Sequence, residues 1–300
     1  MPRLLKKFGD VTFMEKAQIW LVFLKLPFSL TWKFLTAKFS VHSRYKTWRH
    51  NLGEGAFRSI ALSIPQMQYV MGGRSTLVCY KEWSIKRKLA VTIEEIQGED
   101  ARLMWIGDKR VDRVIYYLHG GGYALPLQPY ALSFWRHVQE ELGKQGVKVG
   151  VVILKLLWVS CSTSAKPLLI KHIYRLALIP DAPFPTILRQ AVKGLQLLLD
   201  DGVKAENLQL SGDSAGGNLV LQVLSHILHP LDNVPTVNCG PIKGAYLMSP
   251  WISFQDENRT HAAREATDVI GSKLSSNSEN TCYEMYPLRS RRISKSSMLR

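Results

Sequence analysis

The chain predicts an α/β protein, with a mainly parallel sheet flanked by helices, an N-terminal helical cap, and the last strands of such a sheet absent. Three observations carry this. Short continuous apolar runs (Val114–Leu118, 147–154 and 207–211) are the right length for strands buried on both faces. Longer runs of helical spacing alternate with them. Glycine-rich turns close two of the strands: His119-Gly120-Gly121-Gly122-Tyr123 after the first, and Gly212-Asp213-Ser214-Ala215-Gly216-Gly217-Asn218 after the last. Three hundred residues suffice for one sizeable core with a small cap, and the apolar fraction of 46% is that of a globular chain.

Taken in order, residues 17–39 are the most apolar stretch. They are dense in Trp20, Phe23, Phe28, Trp32 and Phe34, with Lys25 and Lys33 interrupting and Pro27 in the middle. A clean spanning helix needs about 20 predominantly apolar residues with few charges. No small-x-small cleavage site follows, which argues against a signal peptide. Aromatics and leucines beside lysines suit an interfacial helix pair, lying on an anionic membrane or covering the mouth of a site. Membrane surface, soluble cap and spanning segment all stay open. Residues 50–90 have mixed polarity and extend these approach segments, so 1–89 reads as N-terminal apolar helices or cap. Lys86-Arg87-Lys88 reads as a solvated turn.

Residues 90–255 read as the core. Alternation in Val91–Ile96 and Ala101–Ile106 gives two strands joined by a turn at Gly98-Glu99-Asp100. The strand Val114–Leu118, a helix over 130–144 and a strand over 147–154 follow. Residues 155–173, apolar with a Ser/Thr centre, are an atypical insertion: either an excursion near the site mouth or sequence foreign to the fold. A helix over 189–200 stops at Gly202; a strand over 207–211, a helix over 215–229 and a strand over 243–249 complete the core. Residues 256–300 hold no sustained apolar run and end Ser/Arg-rich, and so read as an irregular, disordered tail.

The net charge of +15 suggests nucleic acid until it is located. Residues 1–50 carry ten Lys/Arg against two Asp/Glu, and residues 286–300 five against none. The body between is nearly neutral. Basic ends without a basic folded face exclude a nucleic-acid partner. Cys79, Cys161, Cys239 and Cys282 are widely spaced with no Cys-x-x-Cys pair, which gives neither a metal site nor a disulfide framework. No metal or cofactor is expected. Asn258-Arg259-Thr260 fits a glycosylation triplet, a pattern frequent by chance.

The two glycine turns carry the chemistry. A serine on a tight strand-to-helix turn projects its hydroxyl above the sheet edge, at a helix N-terminus. Ser214 is therefore the candidate nucleophile, with Gly212 and Gly216 lacking the Cβ that would block the turn and the close helix crossing. Successive glycines after a buried strand let backbone N–H groups converge on one point, which is what a tetrahedral oxyanion requires. Each such donor is worth about 3 kcal/mol in a transition state.

His-Gly-Gly-Gly-Tyr followed by Gly-Asp-Ser-Ala-Gly-Gly-Asn resembles the hormone-sensitive-lipase-like branch of the α/β-hydrolases, and more narrowly its fungal esterase/lipase-type members. Tyr174-Arg175-Leu176-Ala177, Asp181-Ala182-Pro183-Phe184-Pro185, Leu188-Arg189-Gln190-Ala191 and Ser249-Pro250-Trp251 resemble intervening and following segments of that family. The resemblance covers about residues 90–255. It implies an α/β-hydrolase sheet that cleaves carboxylic esters without a cofactor. Ser214 would be the nucleophile; Gly121, Gly122 and the N–H of Ala215 the oxyanion donors; His119, Gly120 and Asp213 supporting positions. The apolar N-terminal region suits an acyl- or lipid-facing cap, so the expected substrate is a hydrophobic ester, met by an intracellular chain with peripheral membrane contact through residues 17–39 as one option.

A serine hydroxyl also needs a histidine base and an acid that orients it, in the order Ser, acid, His in this fold. His226 and His229 lie on the helix leading away from Ser214, roughly 18 Å or more down its axis at about 1.5 Å per residue. His261, with Asp256 or Glu257, is what remains, and it falls where the family has cap or loop. The acid and histidine segment of the family is thus expected to be missing. That leaves a second reading: a truncated, catalytically impaired homologue that at most binds ligand.

Overall fold

The computed structural model describes residues 13–40, 43, 45–63, 75–123, 125–156 and 184–252. Its centre is a six-stranded sheet: β1 (Val91–Ile96), β2 (Ala101–Ile106), β3 (Val114–Leu118), β4 (Gly150–Lys155), β5 (Leu208–Asp213) and β6 (Gly244–Met248). The strands lie side by side in the order β1-β2-β4-β3-β5-β6. The β1–β2 hairpin and the β2–β4 pair are antiparallel; β4, β3, β5 and β6 run parallel. Parallel strands need helices on both faces, and both faces are covered.

The alternation of side chains along β2 and β3 makes two cores. Leu103, Trp105, Val114, Tyr116 and Leu118 face α5 (Thr186–Asp200) and α6 (Ala215–Leu228), where Leu188, Leu195, Leu219 and Val223 complete a buried cluster. Met104, Ile106, Ile115 and Tyr117 face the other way, onto Tyr80 and Trp83 of α3 (Thr76–Lys86) and Leu132 and Trp135 of α4 (Pro129–Lys144). Tyr80 shows why α3 sits on the sheet although it falls within the stretch 1–89. Its ring is fully buried, and its hydroxyl donates to the Trp105 carbonyl (2.7 Å) and accepts from the Thr92 N–H (3.0 Å). Ser75 caps α3 by accepting from the Val78 N–H (3.2 Å). Lys86, Arg87 and Lys88 are exposed at its end, with Lys88 at φ 56°.

Element positions follow the sequence expectations, with two corrections. The strand expected over 147–154 runs from Gly150 to Lys155, because β2 extends to Arg102 opposite Lys155. Lys155 therefore ends a strand and does not open the expected insertion; the rest of that insertion, beyond Leu156, lies outside the described residues. The apolar stretch expected to suit an interfacial helix pair is not a pair within itself. It is one helix, α1 (Phe13–Thr36), which continues through the proline, with the Thr31 hydroxyl donating to the Pro27 carbonyl (2.9 Å). Its packing partner is α2 (Trp48–Ser63). The expectations of absent later strands and of a disordered tail concern residues outside the described ones, as does the Asn258 triplet.

Candidate active site

The carboxyl ends of β3, β5 and β6 meet at one edge of the sheet, and the candidate residues sit there. β5 is hydrogen-bonded to β3 on one side and β6 on the other, so its last residue, Asp213, is fixed in place. The chain then reverses sharply into α6. Ser214 makes the turn at φ 49°, ψ −119°, a conformation that costs a non-glycine residue about 1–3 kcal/mol. Three hydrogen bonds hold it: the Ser214 N–H donates to the Met248 carbonyl (3.0 Å), and the Ser214 carbonyl accepts from the N–H groups of Trp251 (2.9 Å) and Asn218 (3.1 Å). The flanking glycines are required by contact. A Cβ on Gly212 would stand 2.4 Å from the Gly216 carbonyl oxygen, and one on Gly216 would stand 2.0 Å from that of Leu118. The helix N-terminus at Ala215 thus crosses directly over the end of β3.

The glycine loop is tied to the same turn. The Asp213 carboxylate accepts, through one oxygen, from the Gly120 N–H (2.8 Å) and the Tyr117 hydroxyl (2.5 Å). Gly120 lies so close to Asp213 that a Cβ would meet its carboxylate at 2.3 Å. Gly121 and Gly122 follow at φ 116° and 62°, and the Gly121 carbonyl accepts from the Leu125 N–H (2.9 Å). The His119 ring donates from Nδ1 to the Gly120 carbonyl (2.7 Å), and burial lowers its pKa, so it stands neutral at pH 7. Burial, with the neighbouring Asp213 charge, pushes the Tyr117 phenol well above its ordinary value, which keeps it a donor.

A second tie had no place in the sequence expectations. The buried Tyr123 hydroxyl donates to Asn218 Oδ1 (2.9 Å), and Asn218 Nδ2 donates to the Trp251 carbonyl (2.7 Å). This joins the glycine loop, α6 and the segment after β6. The Thr76 hydroxyl, buried at the start of α3, accepts from the Leu127 N–H (3.1 Å) just beyond the loop. Tyr117 could have been anticipated, since a tyrosine in an apolar strand needs a partner for its hydroxyl.

The structure brings Ser214, Ala215, Gly120, Gly121, Gly122, His119 and Asp213 together. It engages His226 elsewhere: that ring is buried, accepts at Nδ1 from the Leu231 N–H (3.1 Å), and donates from Nε2 to the Pro235 carbonyl (2.9 Å). His226 organises the end of α6 and the loop beyond it. Asp256, Glu257 and His261 lie outside the described residues.

A mostly parallel sheet in this strand order, with a strained serine at the turn after β5 and a glycine loop after β3, defines an α/β-hydrolase. The chain belongs to the steryl acetyl hydrolase family, whose model matches residues 97–296. It is 29% identical over 167 residues to an acetyl-hydrolase from Streptomyces hygroscopicus, an alignment covering 55% of this chain and 45% of that protein. The chain therefore spans less than half the length of that relative. Among solved structures it resembles an esterase of the bacterial hormone-sensitive lipase family (TM-score 0.52, 19% identity, 80% of this chain and 70% of that one). It resembles equally a doubly substituted mutant of the esterase E40 (TM-score 0.52, 19% identity, 81% of this chain and 70% of that one). Both likenesses are of fold.

Proposed function

We propose that this chain is a serine esterase that cleaves short acyl esters, acetyl esters foremost, of a hydrophobic alcohol. Ser214 Oγ attacks the ester carbonyl carbon, and the carbonyl oxygen takes the electron pair. The N–H groups of Gly121, Gly122 and Ala215 receive that charge. Collapse expels the alcohol and leaves an acyl-enzyme on Ser214; water attacks it and releases the acid. The Ser214 proton must pass to a base and from it to the departing alkoxide; with the family's acid and histidine segment expected to be missing, His261 with Asp256 or Glu257 is what remains for that role. The acetyl group is suggested by the activity for which the family and the Streptomyces relative are named. The hydrophobic alcohol fits an apolar N-terminal segment, 17–39, that meets a membrane surface.

The observation carrying this reading is the pairing of Ser214, strained at the turn, with a glycine loop held by the carboxylate of the adjoining Asp213. The test is covalent labelling by a fluorophosphonate probe, together with turnover of p-nitrophenyl acetate and butyrate. Labelling confined to Ser214, lost in Ser214→Ala, with acetate preferred over butyrate, is the expected result. A second reading, an impaired homologue that binds ligand without turning it over, is favoured by the occupied imidazoles: His119 donates to the Gly120 carbonyl, and both His226 nitrogens are bonded. An unlabelled Ser214 with no activity above the Ser214→Ala variant decides for that reading.

A further inference from the structure

α1 is apolar on two sides, and among the described residues only one is packed against another helix. At about 100° per residue, Ile19, Val22, Leu26, Leu30 and Lys33 share one side. This is the side that meets α2: Ile19 is buried, and Leu30 and Lys33 close on Gly55. On the opposite side, within an arc of about 120°, stand Trp20, Leu21, Leu24, Phe28, Trp32 and Leu35. Each is more than half exposed, Trp20, Phe28 and Trp32 by 70% or more. Lys16 and Lys25 flank this stripe, one at each margin. By length and composition α1 could cross a membrane, but α2 is bound along it. α2 carries Arg49, His50, Asn51, Glu54 and Arg58 in its sixteen residues. Such a helix cannot enter hydrocarbon at its partner's side, because each charge there is costly to desolvate.

From this we infer that α1 lies in the plane of an anionic bilayer surface, its outer stripe among the acyl chains, Lys16 and Lys25 at the phosphate level, and α2 on the water side. The stripe, running the 24-residue helix, gives apolar contact; the lysine margins, in a segment of residues 1–50 with ten basic and two acidic side chains, give the charge complement to acidic lipid. Lysine stems reach along apolar surface to keep their ammonium groups wet. This placement rests on the membrane contact proposed above and specifies its geometry.

The test uses the full chain with phosphatidylcholine vesicles, with and without phosphatidylserine. Co-sedimentation should be strong with phosphatidylserine, weaker without it, and reduced by salt. On vesicle-bound protein, a membrane-impermeant amine-acetylating reagent read by peptide mass spectrometry locates Lys25, the thirteenth residue of α1. In-plane binding leaves Lys25 reactive, within about threefold of Lys16, since both sit at the headgroups. The double variant Phe28→Ser, Trp32→Ser should lower vesicle partitioning by roughly tenfold or more per side chain, with thermal unfolding unchanged as the control for folding. Failure to co-sediment overturns the membrane contact itself. Binding with Lys25 protected overturns the in-plane placement in favour of a spanning helix. Binding with Lys25 reactive but unaffected by the double variant overturns the stripe as the contact. None of these readouts depends on Ser214, so hydrolysis and membrane placement fail separately.

Discussion

Replacing Gly216 by alanine tests the packing argument at the turn most directly. The added Cβ would stand 2.0 Å from the Leu118 carbonyl oxygen and 2.7 Å from the backbone carbons of Leu118 and His119. Ordinary contact begins near 3.4 Å, so α6 and the end of β3 must part by about 1.4 Å. Neither can yield locally. Leu118 is paired with Gly212 in the β3–β5 ladder, and α6 is packed through Leu219 and Val223 into the core. Overpacking of this kind costs typically 1–3 kcal/mol, and backbone contact places this case at about 3. At roughly 2–4 °C per kcal/mol for a chain of this size, Tm should fall by about 6–12 °C. If the esterase reading holds, a shift of about an ångström between the glycine loop and Ser214 should also slow fluorophosphonate labelling by roughly a hundredfold. Gly122→Ala is the comparison. Its Cβ meets nothing within 4 Å, and only φ 62° opposes it, so it should cost about 1–2 kcal/mol. Scanning calorimetry of the two variants decides. If Gly216→Ala unfolds within two degrees of the parent, or loses no more than Gly122→Ala, the close crossing of α6 over β3 is wrong.

Three further perturbations follow from the same structure. Burial alone would raise the Glu99 pKa, but Arg189 at 2.7 Å and Lys193 at 3.1 Å hold it below the ordinary value, with the carboxylate 2% exposed. Glu99→Gln should therefore cost about 3 kcal/mol at pH 7 by leaving two cations uncompensated. The deficit should shrink as pH falls below 4.5 and the parent loses its charge, which urea midpoints between pH 3 and 7 would show. Lys155 is buried, and its pKa is lowered to about 8, chiefly by burial and then by Arg102, so its folded state carries the charge at pH 7 only at a cost. Lys155→Met should stabilise the fold by about 1–3 kcal/mol at pH 7, with the gain fading as pH rises from 8 toward 10.5; equal gain at pH 7 and 10.5 in the same measurement would contradict this. Tyr117→Phe removes one of the two donors to Asp213 and should cost about 1–2 kcal/mol in stability. Its labelling rate at Ser214 should fall further than that of Tyr80→Phe, whose hydroxyl serves the sheet far from the turn; equal rates would refute the clamp.

Glycine and apolar spacing made much of the fold legible before any coordinates. The buried run of Val114–Leu118 had to be a central strand, and the order strand, Gly-Asp-Ser-Ala-Gly-Gly, amphipathic helix had to be a turn that only glycine neighbours permit. The strand at Gly150–Lys155 was displaced from its expected place because its end is set by pairing with β2, a contact about fifty residues away in the chain. Where a helix pair is the expectation for the apolar stretch, one helix α1 runs through Pro27: the proline sits on an exposed flank, and packing on α2, where Leu30 and Lys33 close on Gly55, outweighs a lost backbone hydrogen bond.

The sequence by itself determined the class of sheet, the serine at its turn and the glycine loop, because these depend on period, Cβ size and local backbone freedom. Tertiary structure alone decided what holds the loop to the serine. Tyr117, Gly120 and Asp213 are joined across nearly a hundred residues, as are Tyr123 and Asn218, and a hydrogen bond between distant residues leaves no periodic trace. The same is true of α1: its composition announced an apolar helix, but only the seat of α2 upon it showed which side is covered and which stays exposed among the described residues.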